Sequence, residues 1–320
     1  MKKINNFDTP PKRSTCVALG YFDGIHKGHL KVLNEMTNKA RTEKLIPLVF
    51  TFEDNIKGIF SNENIPNIIL KKQKEEILSA LGVEYLYSVY SSTVINLTPE
   101  SFVFDVLYRK LRAKHVFCGF NFYFGKNKTG NTNLLQSLCK RFEISVHVIP
   151  PIYENEVLIS SSAIRQYIKN GDIEASNNML GRKFSYTLPI IKGEQIGKKL
   201  NFPTINQNFP SEFIIPKLGV YKSFVKVEGD YYQSITNIGV CPTVKEKAIP
   251  HSETFIINYP FKNLYNKNVT VYLNKFLREE KKFKSFNELK HNILNDIKLC
   301  NYALKNTRDG TCEGARFQKP

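Results

Sequence analysis

The chain has 320 residues, of which 42% are hydrophobic and 23% charged, a balance typical of a globular protein and one that excludes a disordered chain or a bundle of membrane spans. A single core usually stops growing below this length, so two domains are expected. The formal net charge of +17 favours anionic partners without choosing among nucleotides, nucleic acid and lipid, and a Lys- and Asn-rich solvated surface is the plainer source of it.

The opening residues Met1-Lys2-Lys3-Ile4-Asn5-Asn6 are basic and run into Phe7-Asp8-Thr9-Pro10-Pro11 with no apolar h-region, so a cytoplasmic protein without a membrane partner is expected. Short apolar runs at 14–20, 46–52, 84–90, 115–119 and 144–150 read as strands. Between them, 28–44, 69–81, 99–112 and 131–141 read as helices, the third with Thr98 at the N-cap and Pro99 at the first helical position. This alternation predicts a Rossmann-like α/β fold with a parallel, doubly wound sheet and a ligand crevice at the strand carboxyl ends. Two short helices, 160–171 and 172–180, follow.

Beyond them the pattern changes to successive strands at 186–192, 220–228, 231–239, 253–258 and 268–276, which predicts an antiparallel β-barrel. A last amphipathic helix over 285–304 places Phe286, Leu289, Ile293, Ile297 and Leu304 on roughly one face, to pack on the barrel. The expected domains are 1–180 and 181–304, with a polar, disordered tail over 305–320. The six cysteines, Cys16, Cys118, Cys139, Cys241, Cys300 and Cys312, stand singly, which suits reduced thiols.

The segment Gly20-Tyr21-Phe22-Asp23-Gly24-Ile25-His26-Lys27-Gly28-His29 leaves the first strand and opens the first helix, the place where a nucleotide phosphate is expected against Gly20, Phe22, Asp23, Gly24 and Gly28. His26 and His29, three apart, share a helix face and can aim imidazole donors at one polyphosphate. Metal ligation is the alternative, although no third ligand stands at short spacing and zinc-binding helices more often use i, i+4.

This segment resembles the H-x-G-H signature of the nucleotidyltransferase superfamily, in the G-x-F-D-G-x-H-x-G-H form of prokaryotic FAD synthetases. Two further stretches carry the likeness. Cys118-Gly119-Phe120-Asn121-Phe122-Tyr123-Phe124-Gly125 looks like the family's G-x-[DN]-F-x-F-G, and Ile159-Ser160-Ser161-Ser162-Ala163-Ile164-Arg165 looks like its I-S-S-T-x-I-R. The resemblance implies FMN and ATP as substrates, with His26, His29 and Arg165 catalytic, Ser160, Ser161 and Ser162 on phosphate, and Asn121, Phe122 and Phe124 at the flavin. Without the motif Arg165 would read as a surface helix residue. The chain departs from the family at Thr51-Phe52-Glu53-Asp54-Asn55-Ile56, where T-F-x-P-H-P is usual, and this leaves open a protein whose adenylyltransferase half has lost its chemistry.

The second half resembles riboflavin kinase over essentially its whole length. Gly181-Arg182, Gly219-Val220-Tyr221, Asn237-Ile238-Gly239-Val240-Cys241-Pro242-Thr243 and Phe276-Leu277-Arg278-Glu279-Glu280-Lys281-Lys282-Phe283 match the family's G-R, G-V-Y, N-I-G-x-x-P-T and F-L-R-x-E-x-K-F. Within Phe202-Pro203-Thr204-Ile205-Asn206, Thr204 and Asn206 face one way in an extended segment and offer hard oxygen ligands suited to Mg²⁺ with ATP phosphates completing the shell. As a bare pattern P-T-x-N is usually a turn. The resemblance implies nucleotide contacts from Gly193, Gly197 and Lys198, a general base in Glu253, otherwise a solvent-facing strand glutamate, and a flavin-side role for Arg278. Asn201 and Asn266 replace usual glycines, and Asn is the residue that best tolerates positive φ in their stead.

Together these likenesses imply a bifunctional enzyme that phosphorylates riboflavin to FMN and adenylylates FMN to FAD, as a monomer or weak homo-oligomer that takes small molecules and no nucleic acid. A riboflavin kinase alone is the first alternative. A non-catalytic basic module binding flavin or nucleic acid is the remote one.

Overall fold

A computed structural model describes residues 1–6, 10–54, 65–193, 202–241, 249–260, 264–281 and 285–305. Gly197, Lys198, Asn201, the loop residues Asn55 and Ile56, and the tail after Lys305 lie outside the described residues. The chain divides into two compact units, Met1–Ser161 and Ser162–Pro320.

In the first unit, β1 (Lys2–Ile4), β2 (Thr15–Leu19), β3 (Ile46–Phe52), β4 (Tyr85–Val89), β5 (Ala113–Gly119) and β6 (Ser145–Ile149) form a sheet in the order β1-β4-β3-β2-β5-β6. Every pairing in it is parallel. The connecting helices are α1 (Lys27–Thr42), α2 (Lys71–Ala80), α3 (Pro99–Ser101) and α4 (Thr132–Lys140). A small hairpin, β7 (Tyr153–Glu154) and β8 (Val157–Leu158), closes the unit. Because both faces of a parallel sheet are covered, its strands are continuously apolar. Along β2, Cys16 and Ala18 pack with Val32, Leu33 and Met36 of α1, whereas Val17 and Leu19 pack on the opposite side with Phe102, Val103 and Leu107.

Besides the β7–β8 hairpin, which the sequence pattern does not predict, two features of the first unit differ from the sequence-based expectation. β1 pairs with Tyr85–Tyr87 at the sheet edge, although its short Lys-Lys-Ile sequence carries no strand pattern. The expected helix from Pro99 begins as foreseen, with the Thr98 hydroxyl accepting from Ser101 N at 3.2 Å, but continues over Phe102–Lys110 as a π-helix. Its closing bond, Leu111 N to Val106 O at 2.8 Å, spans five residues. The wider turn suits a segment in which the adjacent pairs Phe102-Val103 and Val106-Leu107 are all buried.

In the second unit, α5 (Ser161–Asn170) and α6 (Ile173–Leu180) precede β9 (Phe184–Pro189), β10 (Thr204–Asn208), β11 (Gly219–Val227), β12 (Asp230–Cys241), β13 (Ile249–Ile256), β14 (Asn268–Arg278) and α7 (Phe286–Lys305). Asp172 caps α6, accepting from Ala175 N at 3.1 Å, and Gly181 ends it at φ +71, a left-handed position that glycine takes without a side-chain penalty. The Asn177 amide ties α6 to the sheet: it donates to Leu273 O at 3.1 Å and accepts from Phe184 N at 2.6 Å.

The sheet order is β10-β13-β12-β11-β14-β9, with antiparallel pairing throughout. Ile191 N donates to Asn206 O at 2.8 Å, so the two outer strands meet and the sheet curls into a barrel. Inside, the buried hydroxyls of Ser234, Ser223, Thr236 and Thr254 link through contacts of 2.7, 2.8 and 2.9 Å. Outside, Ile297 of α7 packs toward Val220 and Ile235, and Asp296 grips Arg278 through Nε at 3.1 Å and Nη2 at 2.8 Å. Asn266 sits at φ +63, as expected for a residue standing in for glycine.

Candidate active sites

The strand order of the first sheet reverses between β2 and β5, so their carboxyl ends splay and leave a crevice. The two motifs after these strands face each other across it. Gly20, Phe22, Asp23, His26, Gly28, His29, Asn121, Phe122, Phe124, Ser160 and Ser161 all line one cavity of about 380 Å³. Gly24 belongs to the same turn at φ +78.

His26 is the N-cap of α1. Its Nδ1 accepts from His29 N at 3.3 Å, so the ring proton resides on Nε2, and the two imidazoles stack with centroids 3.7 Å apart. This arrangement puts both rings at a helix start, where backbone N–H groups and the helix dipole favour an anion. A side chain at Gly28 would meet the His26 ring at 3.1 Å. On the opposite wall, Phe122 and Phe124 stack at 5.9 Å and Phe102 adjoins Phe124 at 5.4 Å, which gives an apolar, flat-sided flank beside the exposed Asn121.

The serine loop divides its work. Ser160 faces the cavity, while the Ser161 hydroxyl donates to Asp23 O at 3.0 Å and so braces the histidine turn. Ser162 is exposed at the start of α5, and Arg165 is buried one turn later on the same helix. Where the family's proline-histidine loop would begin, Asp54 accepts from Ser91 N at 2.8 Å and from Ser91 Oγ at 2.5 Å, and Glu53 pairs with Lys71 at 2.5 Å.

In the barrel, strand register brings the residues expected for the second site side by side. Asn206 of β10 pairs with Glu253 of β13, Glu253 with Asn237 of β12, Asn237 with Val220 of β11, and Val220 with Arg278 of β14. Directly opposite residues project to one face, so Asn206, Glu253, Asn237 and Val220 form a row across the strands, and Arg278 follows where the β11–β14 register shifts. Thr204 lies two residues before Asn206 on the same face. Gly193 is required beside it, since a Cβ there would fall 2.5 Å from the Asn206 amide nitrogen. Thr204 and Asn206 thus present a hydroxyl and an amide oxygen, a donor set that fits a hard divalent cation sharing its shell with phosphates. Among the described residues, no group of three or more His, Cys, Asp or Glu could hold a metal.

Asn237 and Glu280 lie within the riboflavin-kinase-like motifs and His251 lies two residues before Glu253, and their sequence pattern assigns them no role. Asn237 Nδ2 donates to Glu280 Oε1 at 3.0 Å, and a side chain at Gly239 would collide with the same oxygen. His251 stands two residues before Glu253, and its Nε2 lies 3.7 Å from Glu253 Oε1, an ion-pair separation beyond hydrogen-bond range. The neighbouring carboxylate raises the His251 pKa from its ordinary value. Only strand register, which a sequence pattern does not specify, reveals these neighbours.

Residues 8–163 match the family described as FAD synthetase, and residues 180–304 the family described as riboflavin kinase. The bifunctional riboflavin kinase/FMN adenylyltransferase of Buchnera aphidicola subsp. Acyrthosiphon pisum is 31% identical over 304 residues, covering 93% of each chain. Its Bacillus subtilis counterpart is 30% identical over 285 residues, covering 88% of this chain and 89% of the relative. A crystal structure described as a macrolide-efflux protein from Streptococcus pneumoniae superposes with a TM-score of 0.82 at 26% identity, covering 94% of this chain and 98% of that one. With both family matches in one chain and a bifunctional relative covered along nearly its whole length, the chain belongs to the bifunctional riboflavin kinase/FMN adenylyltransferase family.

Proposed function

We propose that the chain makes FMN from riboflavin in its second half and FAD from FMN in its first, consuming ATP in each step. The observation that carries this reading is the presence in one chain of a phosphate-type crevice built around His26 and His29 and a barrel row that sets Asn206 beside Glu253. The functional division runs at 180/181, with residues 1–180 serving adenylyl transfer and 181–304 the kinase. The enzyme works in the cytoplasm.

In the kinase reaction, Glu253 takes the proton of the ribityl 5′-hydroxyl as that oxygen attacks the γ-phosphorus of ATP, and ADP leaves. Thr204 and Asn206 hold Mg²⁺, which when bound supplies charge neutralisation on the ATP phosphates. Gly193, Gly197 and Lys198 contact the nucleotide, and Arg278, held by Asp296, flanks the flavin.

In the transferase reaction, a phosphate oxygen of FMN attacks the α-phosphorus of ATP and pyrophosphate leaves. No covalent enzyme intermediate is needed, so the task is alignment of two anions and stabilisation of the charge between them. The Nε2–H of His26, His29, Arg165, the N-terminal amides of α1 and the hydroxyls of Ser160 and Ser162 serve that purpose. Asn121, Phe122 and Phe124 seat the isoalloxazine ring.

The test is a time course from riboflavin, ATP and Mg²⁺ beside one from FMN, with flavins separated by chromatography. FAD from both starts supports the reading. Accumulation of FMN without FAD selects a kinase alone, and absence of product from both starts refutes the enzyme.

A further inference from the structure

The turn that carries the first site is held against its own backbone preference. Phe22 at φ +53 and Ile25 at φ +40 occupy a left-handed region that side-chain-bearing residues avoid, and such positions persist where surrounding contacts over-determine them. Two anchors hold Asp23 within this turn: its Oδ1 accepts from Ile68 N at 2.9 Å, and its carbonyl accepts from Ser161 Oγ at 3.0 Å. The third comes from α2. Lys74 Nζ reaches over the strand ends to donate to Tyr21 O at 2.5 Å and to Thr51 Oγ1 at 3.1 Å, and it lies 4.8 Å from the centroid of the Tyr21 ring. Thr51 Oγ1 itself donates to Tyr21 O at 3.1 Å, so ammonium, hydroxyl and carbonyl close a triangle between β3 and the turn. A separate cavity of about 70 Å³ borders this triangle.

From this geometry we infer that Lys74 is a positioning residue for adenylyl transfer, its ammonium fixing the Tyr21 carbonyl and through it the turn that aims Asp23 and His26 into the crevice. The inference rests on the reading that the first half carries out that reaction. A lysine suits the position because a charge-assisted bond to a carbonyl is stronger than a neutral one, and because its unbranched stem reaches the turn from the helix that follows the next strand of the chain. Burial lowers the Lys74 pKa to about 8, against the upward pull of Asp23 in the turn, Glu53 at the end of β3 and Glu75 on α2, while Lys71 on α2 lowers it further. As pH rises through that value the ammonium loses its charge and its bonds lose their charge assistance, so FAD synthesis declines on the alkaline side.

The experiment compares wild type, Lys74→Met and Lys74→Arg in both reactions over a pH series. Lys74→Met is expected to lower the FMN-to-FAD rate on the order of 10- to 100-fold, the size of effect that a small misplacement produces, while riboflavin-to-FMN turnover, carried out by the second half, stays at wild-type level and circular dichroism of the same preparation reports the fold. Lys74→Arg, charged at every accessible pH, restores most of the FAD rate and moves its alkaline limb upward. A Lys74→Met protein with wild-type FAD rate and pH profile overturns the inference, as does a Lys74→Arg protein with the wild-type alkaline limb. Should Lys74→Met lose both reactions, the Lys74→Arg profile decides. A wild-type chain that makes no FAD instead refutes the functional reading on which the inference stands.

Discussion

Asn206 and Glu253 stand directly opposite each other on antiparallel strands, one offering an amide oxygen and the other a carboxylate to the same face of the barrel. If Glu253 is the base for the ribityl hydroxyl, Glu253→Gln removes the proton acceptor while keeping size and most contacts. Riboflavin phosphorylation is then expected to fall about 10²- to 10⁴-fold, with conversion of FMN to FAD unchanged. Steady-state rates of the two reactions on one preparation check this, and equal losses in both would refute the assignment.

Gly193 makes a sharper geometric demand than any motif states. Its substitution by Ala drives a Cβ to within 2.5 Å of the Asn206 amide, which must turn away. Gly193→Ala should therefore raise the Mg²⁺ concentration needed for half-maximal kinase activity by about tenfold or more, a shift equivalent to losing roughly one good ligand contact. A magnesium titration of riboflavin phosphorylation gives the answer, and an unchanged midpoint would show that Asn206 does not serve the ion.

At the other site, His29→Ala removes one of two stacked rings and leaves the N-cap at His26 in place. The expected loss in FMN-to-FAD turnover is on the order of 10²-fold, as for deletion of one donor to developing charge, with the kinase reaction intact. His26→Ala should cost stability as well, about 1 kcal/mol for the lost cap, and urea denaturation of the two variants separates the effects.

Much of this was legible in the sequence because its signals are local. The Gly20–His29 segment announces a strand-to-helix phosphate turn through its glycines and histidine spacing, and Thr98-Pro99 announces a helix start. What stayed hidden depends on contacts distant in sequence. Nothing near Lys74 indicates that it reaches Tyr21, 53 residues earlier in the chain. Asp296 likewise reads as an ordinary helix residue until it is seen gripping Arg278. The π-helix after Ser101 escaped because its apolar spacing fits a helix of either pitch, and only burial on the sheet selects the wider one.

Away from both sites, Glu43 at the end of α1 accepts from His115 Nε2 at 2.9 Å and pairs with Lys39 at 2.8 Å, and His115 Nδ1 contacts His147 Nε2 at 3.1 Å. The bond from Lys39, then that from His115, holds the Glu43 carboxyl down at about 2, below its ordinary 4.5. A depressed carboxyl contributes stability that is complete above its unfolded value and is lost as pH falls from about 4.5 to about 2. Burial also lowers the pKa of His147 below 6.5, so its protonation on acidification weakens the fold in the same direction. Denaturation midpoints of wild type and Glu43→Gln should differ at neutral pH and converge in acid, whereas parallel curves would contradict a titrating role for Glu43.

Two independent sites in one chain can be told apart by mixing variants. Glu253→Gln and His29→Ala are incubated with riboflavin, ATP and Mg²⁺, separately and together, and FAD is measured by chromatography. Expected are almost no FAD from Glu253→Gln alone, FMN that accumulates with His29→Ala alone, and FAD from the mixture, since FMN released by one variant is adenylylated by the other. Failure of the mixture to form FAD while wild type does so, or full FAD synthesis by either variant alone, would refute two independent sites.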